Sequence, residues 1–135
     1  MTRHQEREVA LCLLFEWNSD RSRTLAEIYE TAKEVRDIPE IPYVRLLLDG
    51  IEEHLAEFDA LIDENSKGWK RNRISKISLS LIYIAAYEML YCADIPLRVS
   101  LNEAIELSKT YDADNAYTFV NGVLHAVSQK ANKKD

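Results

Sequence analysis

The apolar residues of this chain recur at helical spacing. Val9, Ala10, Leu13, Leu14 and Trp17 share one face of an opening helix. After the polar Asn18-Ser19-Asp20 break, Leu25, Ile28, Tyr29, Ala32 and Val35 repeat the pattern, with Thr24 placed as the N-cap. Pro39 and Pro42 push their predecessors out of helical geometry and end that element. Val44, Leu47, Leu48, Ile51, Leu55, Phe58, Leu61 and Ile62 then predict one continuous helix of about five turns, ending near Lys67-Gly68.

The stretch from Ile77 to Tyr83 alternates apolar residues with Ser78 and Ser80, as a strand would. The apolar run continues to Tyr91 through an alanine pair without a turn signal, so it predicts a buried central helix instead. Asp94-Ile95-Pro96 ends it, and Ser100 and Glu103 stand at capping-box spacing to open the next helix. Phe119, Val120, Val123, Leu124 and Val127 mark the closing helix, and the tail from Lys130 to Asp135 is expected to fray.

Composition narrows the fold class. Hydrophobic residues make up 47% of the 135, against only three glycines and three prolines. That supports a core and argues against an all-β fold, so the chain reads as one helix-rich domain over 1–135. Cys12 and Cys92 lie in apolar runs without a secretory segment ahead of them, which favours buried free thiols over a single disulfide and predicts a cytoplasmic protein. The 13 residues from Leu79 to Tyr91 are too short to span a bilayer.

Chemistry is sparse. Gly50, Gly68 and Gly122 form no phosphate loop, and His4, His54 and His125 lack metal-ligand spacing with each other or with the cysteines. No enzyme signature is present. The net charge is −6, so any affinity for nucleic acid must come from local patches. Two qualify. Arg3 and Arg7, with His4 between them, are four apart on the opening helix and can point the same way, although Glu6 and Glu8 dilute them. Residues 67–76 hold five positive charges around Trp69, and no acid occurs from Asn65 to Tyr87. Such a stretch is either a phosphate and base-stacking surface or a soluble loop around a core tryptophan.

Longer strings carry a resemblance. Arg7-Glu8-Val9-Ala10-Leu11, Trp69, Arg73, Ala86-Tyr87-Glu88, Ile95-Pro96, Leu101 to Lys109 and Phe119-Val120-Asn121-Gly122-Val123-Leu124 resemble the NusB family in order and spacing. The resemblance implies an all-α domain of about seven helices in two packed bundles, without a cofactor. It implies binding of the boxA element of nascent ribosomal RNA transcripts together with ribosomal protein NusE, within an antitermination complex on RNA polymerase. Carried over by position, the arginine-rich opening segment maps to Arg3, His4, Gln5 and Arg7, and a second RNA-contacting segment to Tyr117, Phe119, Asn121 and Gly122; Lys70 and Arg73 join them from the basic stretch. The partner surface maps near Tyr83, Tyr87 and Glu88.

Departures from the family pattern bear on strength. His4 and Gln5 stand where many relatives have arginine, and Ser78, Tyr83 and His125 also differ. Two other readings follow: a module that docks NusE with little RNA affinity of its own, and an accessory module of the kind attached to RNA methyltransferases, for which this chain has neither the length nor the glycine-rich motif. Packing competes at single positions: Phe119 suits a core as well as a base, and Asn121-Gly122 suits a close helix approach. Arg3 and Arg7 have no packing role in this reading. Its central expectation is that they stand beside the start of the closing helix.

Overall fold

A computed structural model describes residues 1–133. Among these the secondary structure is entirely helical: α1 Arg3–Ser19, α2 Leu25–Val35, α3 Pro42–Glu53, α4 Leu55–Asn65, α5 Lys76–Tyr91, α6 Leu97–Tyr111 and α7 Ala116–Ser128, with a single 3-10 turn at Arg71–Arg73. No helix is long and apolar enough to cross a membrane. Helices α1, α2 and α3 pack together, α5, α6 and α7 form a second group with α4 laid on α7, and α5 joins the two by packing on α1 and α3. The strand alternative for Ile77–Tyr83 is excluded. Helix α5 is buried nearly all round, from Ser78 through Ala86, because it lies at this junction.

Capping explains the helix starts. Thr24 accepts from the Glu27 N–H while Glu27 reaches back to Thr24, a reciprocal cap, and Thr2 and Gln5 do the same for α1. The capping box expected at Ser100 and Glu103 does not form. Helix α6 begins earlier, at Leu97 after Pro96, so Ser100 and Glu103 lie within the helix and their side chains turn inward.

The long third helix is two. His54 leaves helical geometry (φ −107°, ψ 19°) and redirects the chain, so that Phe58 and Ile62 reach the core from α4. Gly50 lies in the last turn of α3. The Tyr87 ring lies against it, and a Cβ there would stand 2.1 Å from that ring. His54 itself stacks on Tyr91 with ring centroids 4.0 Å apart.

Two further expectations are corrected. Both cysteines are free, and Cys92 is buried, but Cys12 is exposed on the outer face of α1. The tail does not fray through Lys133: its Nζ donates to the carbonyls of Glu88 at 3.0 Å, Cys92 at 2.6 Å and Ile95, which satisfies the open C-terminal end of α5. Residues 134 and 135 of the expected tail lie outside the described residues.

Candidate nucleic-acid interface

Helix α5 gives the site its coordinates. At its C-terminal end Glu88 meets Arg7; toward its N-terminal end Ser80 meets Asn18. Thus α1 runs antiparallel to α5, and its start lies by the end of α5. The start of α7 lies elsewhere. Phe119 and Ala116 border the same pocket as Ser75 and Ser78, at the N-terminal end of α5. Ser78 and Glu88 are ten residues apart, about 15 Å of helix axis. The expected juxtaposition of the opening cations with the start of the closing helix is therefore absent. At that end of α5 lies Lys133 instead, bound to the carbonyls of Glu88, Cys92 and Ile95.

Arg7 is not a surface cation either. It is 4% exposed, and its guanidinium donates to both oxygens of Glu88, at 2.8 and 3.2 Å, and to Glu103 at 3.0 Å. Tyr43 and Ser100 also donate to Glu88, so each charge is paired and hydrogen-bonded, the condition under which a buried ion pair is tolerated. Burial, followed by the Glu88 charge, pushes the Tyr43 hydroxyl far above its usual range. The expectation that Arg7 has no packing role is overturned. The sequence signal was present in Arg7, Glu88 and Glu103, which are spread over 96 residues that only the fold brings together.

Arg3 and His4 remain at the surface, already engaged. The Arg3 guanidinium lies 3.7 Å from the centre of the Tyr43 ring and 3.1 Å from Glu6. The His4 Nδ1 stands 2.9 Å from Glu103, and that hydrogen bond raises the imidazole above its ordinary value. A raised folded-state pKa adds stability below the unfolded value and loses it as pH rises through the folded value. Accordingly, His4→Gln should shrink the change in thermal stability between about pH 6 and pH 8; an unchanged pH profile would contradict this placement.

The proposed partner residues are also interior. Tyr83 is fully buried, donating to Asp59 at 2.5 Å and accepting from Arg21 at 3.3 Å, and Glu88 is the buried anion just described. Only Tyr87 is half-exposed, and its ring covers Gly50. Among the apolar side chains offered to solvent, which also include Val35, Leu46 and Tyr91, Phe15 and Tyr111 border a groove with Leu11, Cys12 and Ile77 between α1, α5 and α6.

The basic stretch behaves differently. Lys67 and Gly68 take left-handed backbone conformations (φ 51° and 87°), the second of which glycine adopts without strain. The turn is pinned from inside. The buried Ser66 hydroxyl donates to the Trp69 carbonyl at 2.8 Å, and the Trp69 N–H donates to the Ser66 carbonyl at 3.0 Å. Arg71 ties the loop to α4 through Asp59 at 2.8 Å and Asp63 at 2.9 Å. This throws Trp69 outward, 60% exposed, which excludes the core reading of that residue.

Lys67, Lys70, Arg73 and Lys76 are exposed around it. Almost every other cation of the described residues meets an acid, a carbonyl, a hydroxyl or an aromatic ring, as Lys109 does above the Tyr117 ring at 4.6 Å. Among the described residues, Lys67, Lys70, Arg73, Lys76 and Lys130 meet no such partner. Most of the positive charge without a partner among the described residues thus lies on this loop and on the first residue of α5.

Phe119 faces that loop, half-buried, bordering one pocket with Trp69 and Arg73 and a second with Trp69 and Gly122. Asn121 is exposed, and nothing lies within 4 Å of a Cβ added at Gly122, so no helix packs closely there. Of the expected RNA residues, the structure unites Lys70, Arg73 and Phe119, keeps Tyr117 and Asn121 on the same helix, and separates Arg3, His4 and Arg7 from them. No group of three His, Cys, Asp or Glu side chains among the described residues is placed to hold a metal.

Comparison with known proteins places this arrangement. The NusB family model matches residues 4–129. The transcription antitermination protein NusB of Clostridium acetobutylicum is 40% identical over 136 residues, covering 99% of this chain and all of that protein. NusB of T. maritima superposes with a TM-score of 0.84 at 30% identity, over 98% of this chain and 94% of that one. A chain from a crystal structure of antitermination factors NusB and NusE in complex with dsRNA shares the fold at 22% identity, with a TM-score of 0.80 over 96% of this chain and 99% of its own. The family model spans both helical groups and the Clostridium relative matches end to end: the chain belongs to the NusB family.

Proposed function

We propose that this chain is a transcription antitermination factor that binds the boxA element of nascent ribosomal RNA transcripts together with ribosomal protein NusE, within an antitermination complex on RNA polymerase. Family membership supports the general role, since the Clostridium relative carries that name. The fold neighbour solved with NusE and dsRNA motivates NusE and RNA as partners, and the single-stranded form of the RNA is this reading's own.

The observation that carries the RNA part is the loop of unpaired cations. On a protein of net charge −6, a polyanion gains most where positive charge is not already neutralised. Lys67, Lys70, Arg73 and Lys76 take the phosphates, while Phe119, Tyr117 and Asn121 on α7 meet unstacked bases. Arg3 and His4 form a second, weaker cationic end reached only by a longer strand. Arg7 acts from within by holding α1 on α5 and α6. The Phe15–Tyr111 groove is the surface offered to NusE, in place of Tyr83 and Glu88, because a protein partner gains from covering exposed apolar area.

The test is RNA binding with and without NusE, using boxA RNA and a scrambled RNA of the same length. Preferential boxA binding that NusE strengthens supports the reading. NusE binding with no boxA affinity, even in the complex, would replace it with the module that only docks the ribosomal protein.

A further inference from the structure

We propose that Trp69 and Phe119 form a slot for one unpaired nucleobase, and that Asp112 at its edge favours a base carrying an amino group over uracil. The inference rests on the RNA-binding reading and adds a base-reading subsite to it.

Three observations converge. Trp69 is 60% exposed, although a large apolar side chain of a helical domain normally packs inward. Its backbone is fixed by Ser66 at both N–H and carbonyl, so the ring is presented from a tied loop. Phe119 borders the same two pockets, and Lys67, Lys70 and Arg73 flank them without acidic partners. An apolar cleft between aromatic residues with cations at its rim matches single-stranded nucleic acid, whose bases have flat faces and whose phosphates are negative. An acidic peptide would satisfy the cations but not use two aromatic groups in this way.

The edge of the slot is selective. Asp112 lines it and accepts from the Ser75 and Ser78 hydroxyls, both at 2.7 Å, and from the Ala113 N–H at 2.8 Å. These bonds fix the carboxylate, which offers only acceptor positions. Cytosine and adenine present an exocyclic amine to such a group; uracil presents carbonyl oxygens on either side of one N–H.

Tryptophan emission reads the slot directly, because Trp17 is 5% exposed and Trp69 is the solvent-facing one. The probes are boxA RNA and oligo(C), oligo(A) and oligo(U) of equal length. Oligo(C) and oligo(A) should quench the emission more strongly than oligo(U), and Trp69→Phe should abolish that quenching. Trp69→Ala should weaken binding about tenfold or more, with Trp69→Phe retaining most of the affinity. The salt slope should be unchanged in both, since no charge is removed. Loss of the preference over oligo(U) in Asp112→Asn, in a protein still folded at the assay temperature, completes the expected result; a preference that survives this change removes the selective edge.

The slot is overturned if Trp69→Ala binds boxA RNA as tightly as the unaltered protein, which leaves the RNA reading standing on phosphate contacts. It is equally overturned if NusE alone shifts the Trp69 emission while RNA does not, for then the tryptophan docks protein. An unaltered protein that binds no RNA overturns the slot and the RNA reading together.

Discussion

Arg7→Met should destabilise the fold by about 3–5 kcal/mol, the usual consequence of removing one partner from a buried ion pair. Glu88 is 1% exposed and would lose both guanidinium bonds, keeping only the donors from Tyr43 and Ser100. In a domain of this length the melting temperature should fall by about 10–20 °C. Adding Glu88→Gln removes the stranded charge and should recover part of the loss, because uncharged groups are less costly to bury. RNA affinity of the remaining folded protein should be little changed, since Arg7 presents no surface to a ligand. A variant that melts normally yet fails to bind RNA would show that Arg7 leaves this pocket to act on the ligand.

Much of the fold was legible because helical periodicity and caps are local. Thr24 and the two prolines mark their boundaries within four residues, and the length of the apolar run of α5, unbroken by a turn signal, distinguishes it from a strand. What was not legible depends on distant groups. The break at His54 has no local marker, because the apolar period runs through it from Ile51 to Leu55 and Phe58. Ser100 and Glu103 have capping-box spacing, but their side chains are drawn to Glu88 and to Arg7 and His4 once α6 packs against α1 and α5. Lys133 looked like part of a polar tail because its acceptors are carbonyls at the end of another helix, which no spacing rule reveals.

The site divided in the same way. The charge around Trp69 was visible as an acid-free run, and of the two readings of that stretch the fold removes the one that puts Trp69 in the core. The opening patch misled because Arg3 and Arg7 at i and i+4 share a face, and in α1 that face turns from solvent at Arg3 to the interior at Arg7. Tyr83 and Glu88 misled for the opposite reason. They sit in a helix buried on every side, so polar character there signals an internal partner.

The second large effect concerns salt. If Lys67, Lys70, Arg73 and Lys76 neutralise about four phosphates of a single strand, the logarithm of affinity should fall against the logarithm of salt concentration with a slope of roughly −3. Affinity would then drop about 60-fold between about 50 and 200 mM salt. Changing Lys67, Lys70 and Arg73 together to Ala removes three of these contacts, and the residual drop over that range should be about threefold. Folding should be spared, because none of the three side chains has a partner among the described residues to lose. Arg71 is left in place, since its bonds to Asp59 and Asp63 hold the loop on α4.

The most direct measurement is therefore the salt dependence of boxA RNA binding for three proteins side by side: unaltered, Lys67→Ala/Lys70→Ala/Arg73→Ala, and Arg3→Ala/His4→Ala. The slope should collapse in the loop variant and decrease only slightly in the helix variant. A slope that survives loss of the loop cations but vanishes with Arg3 and His4 would move the RNA to the opposite end of α5 and contradict the account.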